Sequence, residues 1–253
     1  MDQFWGLFLR EIKRTYRNPL VLVMTVVQPF MWLAFFGSSF ANAPPSFLEG
    51  YFHTNNYIAF LLPGVLSTSM LTVGMFSSMS TIQDKRFGYM KRILLTPTPK
   101  STVFLSKAFG ATTRGLVQIP VMAVAAMAFG VALPTSPGLW AIWVTGLFCL
   151  GLGFCSLFMT LTVTSTDWQT PGVISNFVTM PLMFASTALF PSASFPAWMQ
   201  DFSRINPVTY SATLGRAILL GDPPWTDLGY LVIFALAMVV LGAAVSSRWL
   251  KIE

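Results

Sequence analysis

Charged residues are scarce in this sequence of 253 residues. Only 9% are Asp, Glu, Lys or Arg, whereas 54% are hydrophobic and the mean hydropathy is +0.65. A soluble domain of this size could not bury that much apolar surface in one core. The composition therefore predicts an integral membrane protein. The net charge of +6 would suggest nucleic acid in a soluble protein, but here we expect the lipid bilayer as partner and no nucleic acid.

Cysteine and histidine are nearly absent, with two residues and one residue respectively. Cys149 and Cys155 lie six residues apart in one apolar segment, so on a helix they point to different faces and cannot form a disulfide with each other. His53 falls in a predicted outer loop. No carboxylate pair, metal-ligand cluster or serine with a nearby base occurs within a predicted span. We therefore expect no catalytic residue, metal site or cofactor in this chain.

Two sequence features that would supply energy for transport are missing. The chain has no G-x-x-x-x-G-K-[ST] phosphate loop and no Gly-Lys pair, so it should not bind ATP by that device. The cores of the predicted spans contain no ionisable residue, although ion-coupled carriers usually place one at mid-membrane. An ion-coupled carrier that binds its ions through backbone carbonyls remains an alternative. If the protein is a pump, its motor is another polypeptide.

Six apolar segments are long enough to cross a bilayer, at about 19–40, 57–83, 115–131, 139–163, 171–190 and 228–246. Small residues form a stripe along the fourth, at Gly146, Cys149, Gly153 and Ser156, which favours close helix packing over a substrate path. Lys and Arg concentrate at 10–17, 85–114 and 248–251. The positive-inside rule then places both termini in the cytoplasm. The predicted fold is an all-α integral membrane protein with six transmembrane helices.

The first 18 residues predict an amphipathic helix in the cytoplasmic interface. Apolar side chains recur at three- and four-residue spacing, at Trp5, Phe8, Leu9, Ile12 and Tyr16. Cations gather on roughly the opposite side, at Arg10, Lys13, Arg14 and Arg17. The alternative is a first span that starts early and has a basic flank. The apolar run that follows is too long for a signal peptide and lacks a cleavage site, so we expect it to be retained.

One charge-dense run, DKRFGYMKRILLTPTPK, occupies residues 84–100. If it forms a short helix, one side carries Phe87, Met90 and Leu94, and another carries Lys85 and Arg92. Such an element can place apolar residues in a partner's groove and surround them with polar contacts. The alternative is a basic loop that only obeys the positive-inside rule, and the pattern alone does not separate the two.

Residues 191–216 interrupt the apolar pattern before the last span. Pro191, Pro196 and Pro207 break it, while Trp198 and Phe202 keep the region apolar. The pattern predicts short helices that rest at the outer interface or dip into it.

Three blocks occur in a fixed order along the chain. They are FWGLFLREIKRTYRNPL, DKRFGYMKRILLTPTPKSTVFLSKAFG and LFPSASFPAWMQDFSRINPVTYSATLGRAILLG. With these blocks, nearly the whole chain resembles the membrane subunits of ABC exporters of the ABC-2 type, especially bacterial daunorubicin or multidrug export permeases. Family members often show an acidic residue and Arg, then Gly-Thr, ahead of a Thr-Pro. Asp84 and Arg86 fit that pattern, whereas Tyr89 stands where Thr is usual.

The resemblance implies a single ABC-2 domain over residues 1–253 and a separate ATPase subunit that carries ATP and Mg. It also implies a second permease copy, in a homodimer or with a related permease. Residues 84–98 would form the coupling region that docks on the ATPase, through Asp84, Lys85, Arg86, Phe87, Met90, Lys91, Arg92 and Leu94. The N-terminal helix, with Trp5, Arg10, Lys13, Arg14 and Arg17, would also approach that ATPase.

Residues 191–216 would form extracellular re-entrant helices that cap the exit. The implied gate residues are Phe190, Pro191, Pro196, Asn206, Pro207 and Arg216. Asn206-Pro207 has an alternative interpretation as a helix-start turn without a gating role. The expected function is export of a hydrophobic or amphipathic compound, drug-like first, across a prokaryotic inner membrane. The alternatives are export of a lipid-linked saccharide or nodulation-factor-like glycolipid, and a membrane assembly subunit that transports nothing.

Overall fold

A computed structural model of the protein describes residues 2–40, 43–52, 54, 56–89, 95, 98–163 and 169–249. Within these ranges the regular secondary structure is entirely helical, as the sequence predicts. The helices are α1 (Asp2–Tyr16), α2 (Pro19–Ser39), α3 (Pro45–Phe52), α4 (Tyr57–Arg86), α5 (Lys100–Leu116), α6 (Gln118–Ala128), α7 (Pro137–Val163), α8 (Thr170–Phe184), α9 (Ala197–Ile205), α10 (Pro207–Leu220) and α11 (Trp225–Trp249).

Five helical stretches of the described chain are long and apolar enough to cross a membrane: Pro19–Ser39, α4 within Ser46–Arg86, Lys100–Ala128, Pro137–Thr162 and Trp225–Arg248. The predicted fifth span differs, because α8 ends at Phe184 rather than near residue 190. Its 15 residues rise only about 22 Å, which is short of the hydrocarbon thickness of about 30 Å. The structure thus has five candidate spans and one shorter apolar helix where the sequence predicts six spans.

The N-terminal segment is a helix of its own. α1 ends at Tyr16 and α2 begins at Pro19, which occupies a first-turn position where its missing N–H costs no hydrogen bond. The N-terminal residues and the first candidate span are therefore two helices, and the position of α1 in the membrane interface stays a prediction. Residues 191–216 likewise form the short helices α9 and α10.

The sequence did not predict α3. Pro44 and Pro45 lie between the predicted spans 19–40 and 57–83, and Pro45 begins a short helix that ends at Phe52. Proline is favoured at the start of a helix as much as it is disfavoured inside one, so the pair was ambiguous.

α4 and α7 form the centre of the buried core. Leu61, Met70 and Leu71 of α4 and Leu147 and Phe158 of α7 are fully buried. The predicted stripe of small residues lies where α7 meets its neighbours. A Cβ added to Gly146 would lie 2.5 Å from Leu214, and one added to Gly153 would lie 2.3 Å from Phe234. Both glycines therefore serve close packing against α10 and α11.

Candidate functional site

Asp84, in the last turn of α4, is the centre of a charge cluster where α1, α4 and α5 meet. Its side chain is nearly buried, and so is that of Lys107, whose Nζ donates to Asp84 Oδ2. Arg14 Nη1 donates to Asp84 Oδ1 at 3.1 Å, and Arg10 Nη2 lies 4.0 Å from Oδ2. One carboxylate thus faces three cations from two other helices.

The position of Asp84 is unfavourable without these cations. A carboxylate near a helix C-terminus opposes the helix dipole, and burial removes it from water. Arg14 is itself fixed by further hydrogen bonds, from Nη1 to Ser80 Oγ at 3.2 Å and from Nη2 to Gln83 Oε1 at 3.5 Å. The cluster therefore specifies how α1 sits against the end of α4.

α1 packs along α5 beside this cluster. Gly110 permits the approach, because a Cβ there would lie 2.7 Å from Glu11 Cβ. The rings of Phe4 and Phe109 meet edge to face, with centroids 5.8 Å apart. Trp5, Leu9 and Tyr16 stay exposed, as expected for a helix whose apolar side faces lipid.

The three cations of α1 and Arg17, which follows it, divide into two pairs that the sequence did not reveal. Arg10 and Arg14 turn inward to Asp84, whereas Lys13 and Arg17 are exposed. Arg10 also places its guanidinium 3.5 Å from the ring centroid of Tyr89, a cation–π geometry. Helical spacing places all four on roughly one side, and only the distant partners Asp84 and Tyr89 separate them.

The predicted coupling region differs from the structure at its start. α4 continues through Asp84, Lys85 and Arg86, and Phe87 follows as the C-terminal cap. No helix-breaking residue occurs between Asp84 and Gly88. Gly88 has φ +69°, a conformation that glycine adopts without strain.

The exposed part of that region carries apolar side chains. The Phe87 ring is 80% exposed, and Leu95 is exposed as well. The remaining predicted coupling residues lie outside the described residues, namely Met90, Lys91, Arg92 and Leu94. Their docking role stays a prediction.

A second polar centre surrounds the backbone that follows α8. Residues 185–189 are buried and not α-helical, so their carbonyl groups need donors from elsewhere. Asn206 Nδ2 donates to Leu182 O at 2.8 Å and to Ala185 O at 3.0 Å. Tyr57 Oη donates to Leu189 O at 3.4 Å.

Arg216 completes this second centre. Its Nη2 donates to Thr187 O and, at 3.1 Å, to Ala188 O, while Nε donates to Phe60 O at 3.0 Å. The guanidinium also lies 3.6 Å from the Phe60 ring centroid. Burial lowers the pKa of Arg216, which lies outside the five candidate spans, to about 9, so it stays charged at neutral pH.

Of the predicted gate residues, the structure brings together Asn206 and Arg216. Asn206 also caps α10, because its Oδ1 accepts from Val208 N at 3.0 Å and Pro207 follows at the first helical position. Phe190, Pro191 and Pro196 lie around the Ser192–Ser194 turn ahead of α9. In the described ranges, no group of three His, Cys, Asp or Glu side chains could hold a metal ion.

Comparison with known families and proteins identifies the chain. The family model for the ABC-2 type transporter matches residues 2–220. The chain belongs to the ABC-2 type transporter family. This confirms the resemblance that the three ordered blocks indicate.

Three relatives of this ABC-2 chain span most of its length. The ycf38 protein of Cyanophora paradoxa is 31% identical over 83% of this chain and 72% of its own length. The daunorubicin resistance ABC transporter permease protein DrrB1 of Streptomyces coeruleorubidus is 23% identical, over 91% of this chain and 79% of its own. The inner membrane transport permease YadH of Escherichia coli K12 is 24% identical, over 95% of this chain and 94% of its own length. The protein is therefore a transport permease of this family with several membrane-spanning helices.

Proposed function

We propose that this chain is the membrane-spanning subunit of an ATP-driven exporter. A separate ATPase subunit would bind ATP and Mg, and a second permease copy would complete the translocation path. Permeases of this family normally work with ATPase subunits. The observation that carries the proposal is the Asp84 cluster, which joins α1 to the ends of α4 and α5 beside the exposed Phe87.

In this proposal α4 is the element that carries motion from the ATPase to the outer side. The Asp84 cluster holds one end, and Phe60 near the other end accepts the hydrogen bond from Arg216. At a helix rise of 1.5 Å per residue, Asp84 and Phe60 lie about 36 Å apart along α4. A displacement of the Phe87 end would therefore reach the buried backbone of residues 185–189, with Asn206 and Arg216 as the side chains that respond.

The cargo in this proposal is a hydrophobic or amphipathic drug-like compound, moved outward with both termini of the permease on the cytoplasmic side of a prokaryotic inner membrane. Two observations support it. One relative carries daunorubicin resistance in its name. The candidate spans are also rich in apolar side chains, which suit a cargo that enters from lipid.

The docking step can be tested through Phe87. The permease is co-expressed with a candidate ABC ATPase subunit, and co-purification and vanadate-sensitive ATP hydrolysis are measured in proteoliposomes. Phe87→Glu should lower the affinity for the ATPase at least tenfold, which corresponds to about 1.4 kcal/mol, because it places a charge in an apolar contact. Trp198→Glu is the matched control, since it changes an equally exposed aromatic residue on the predicted outer side.

Full binding and full hydrolysis by Phe87→Glu would contradict the docking role. The transport step needs a separate readout, namely ATP-dependent uptake of a fluorescent amphipathic drug into inverted vesicles. A complex that hydrolyses ATP but moves neither the drug nor a lipid-linked saccharide would instead be an assembly subunit.

A further inference from the structure

An open groove of about 540 Å³ lies at the junction of α1 and α2. Four cations line it, namely Arg10, Lys13, Arg14 and Arg17, together with Leu9 and Asn18. The groove therefore combines a dense positive charge with one apolar wall and one amide. This combination suits a phosphate group that carries an apolar substituent.

Two of these cations have no side-chain partner in the part of the chain that the structure describes. Arg10 and Arg14 share Asp84, but Lys13 and Arg17 make no ion pair or side-chain hydrogen bond with any residue that the structure describes. Arg17 follows the end of α1, but its backbone N donates to Lys13 O at 3.0 Å, so the two like charges lie one turn apart and repel each other.

The helix dipole accounts for only part of this arrangement. Cations are favoured in the last turn of α1, where Lys13 and Arg14 lie. The dipole does not require a groove, however, and it does not offset the repulsion between Lys13 and Arg17. An anion bound between them would do so.

The groove opens directly ahead of a helix with an exposed apolar surface. Asn18 precedes α2, whose Leu20, Val23 and Met24 are more than half exposed. The cationic groove lies next to the exposed apolar surface of α2. In a phospholipid, the charged headgroup likewise lies next to the apolar acyl chains. A free phosphate ion would use only the first of these surfaces.

We propose that this groove binds the phosphate of an anionic phospholipid in the inner leaflet, with the acyl chains along α2. The bound lipid holds α1 in the membrane interface and leaves Arg10 and Arg14 available for Asp84. The lipid site does not depend on the ATPase, so an experiment can support or contradict it independently of the proposed function.

The wild-type permease provides the first test, by modification of lysines with an amine-reactive reagent and peptide mass spectrometry. Nanodiscs contain either dioleoyl phosphatidylglycerol in phosphatidylcholine or phosphatidylcholine alone. With phosphatidylglycerol at about ten times its Kd, modification of Lys13 should fall about tenfold. Lys100, which lies at the start of α5, is the internal control and should react equally in both.

Three outcomes overturn the proposal. Equal reaction of Lys13 in both nanodiscs shows that phosphatidylglycerol does not occupy the groove. An equal loss of reaction at Lys100 shows a general surface effect. Full protection of Lys13 by inorganic phosphate in phosphatidylcholine nanodiscs shows a site for free phosphate instead of a lipid.

Variants extend the test to binding itself, measured by native mass spectrometry as phosphatidylglycerol retained after release from the nanodisc. K13Q/R17Q should lose the retained lipid, whereas K100Q/R248Q removes the same number of charges elsewhere and should keep it. K13R/R17K preserves the charge and should also keep it. Retention of the lipid by K13Q/R17Q overturns the proposal. If that variant does not fold, the lysine modification of the wild-type protein tests the proposal instead.

Discussion

Asp84 and Lys107 bury opposite charges at the end of a membrane-spanning helix, each with only 6% of its surface exposed. Breaking a buried ion pair is more damaging than the pair's net contribution suggests, because the remaining charge has neither water nor a partner. Arg14 is less buried and can regain water, whereas Lys107 cannot. The cost of losing Asp84 therefore falls mainly on Lys107.

We expect Asp84→Asn to lower the free energy of unfolding by about 3 kcal/mol and to release α1 from α4. Thermal unfolding in detergent measures the first effect, and protease sensitivity of the first 18 residues measures the second. Asp201→Asn is the matched control, since its exposed pair with Arg204 should contribute no more than about 1 kcal/mol. Equal effects of the two substitutions would show that the Asp84 cluster is not structural.

Single residues also mark the limit of inference from the sequence. The spacing of Arg10, Lys13, Arg14 and Arg17 predicts that they share one side of a helix. It cannot predict that Arg14 meets a carboxylate 70 positions away, since local spacing carries no information about distant partners. The same holds for Tyr89, which the sequence marks only as a departure from the usual Thr.

Helix α8 shows why one element was predicted with the wrong end. The residues after Phe184 are either small or apolar and carry no helix-breaking signal before Pro191. The helix stops because side chains from other elements, Asn206 and Arg216, supply donors for carbonyls that a helix would have used itself. Helices α2, α4, α7 and α11 were predicted well because their apolar length alone defines them.

The contact between α4 and the backbone after α8 gives a prediction at the scale of elements. A Cβ added to Gly64 would lie 1.9 Å from Ala188 O, and a backbone atom cannot rotate away. We expect Gly64→Ala to lower the free energy of unfolding by about 3 kcal/mol or more, as overpacking does. Thermal unfolding of the purified permease measures this effect.

Gly229→Ala is the matched control for Gly64→Ala. It lies in α11 with no atom within 4 Å of an added Cβ, so the change should raise helix stability by about 0.5–1 kcal/mol. If Gly64→Ala were as stable as Gly229→Ala, α4 would not be in close contact with residues 185–189.

At the scale of the whole molecule, α4 carries residues of two polar centres. One is the Asp84 cluster with α1 and α5, and the other is the buried carbonyl backbone held by Asn206 and Arg216. The sequence predicted both regions as functional, through family blocks, but not that one helix contacts both. Only the fold shows that α4 continues through Asp84 and that its Phe60 accepts a hydrogen bond from Arg216.

A double-mutant cycle tests whether this link serves transport. Arg14→Gln weakens the Asp84 cluster while Lys107 still pairs with Asp84, and Arg216→Lys keeps the charge but loses the forked contact with the carbonyls of Phe60, Thr187 and Ala188. Because the two sites are about 36 Å apart along α4, their effects on unfolding should add within about 0.5 kcal/mol.

Their effects on ATP-dependent drug uptake should not add, since both interrupt one chain of contacts, and the double variant should transport about as well as the worse single variant. Uptake losses that multiply would mean that the two centres act separately and that α4 does not transmit motion between them.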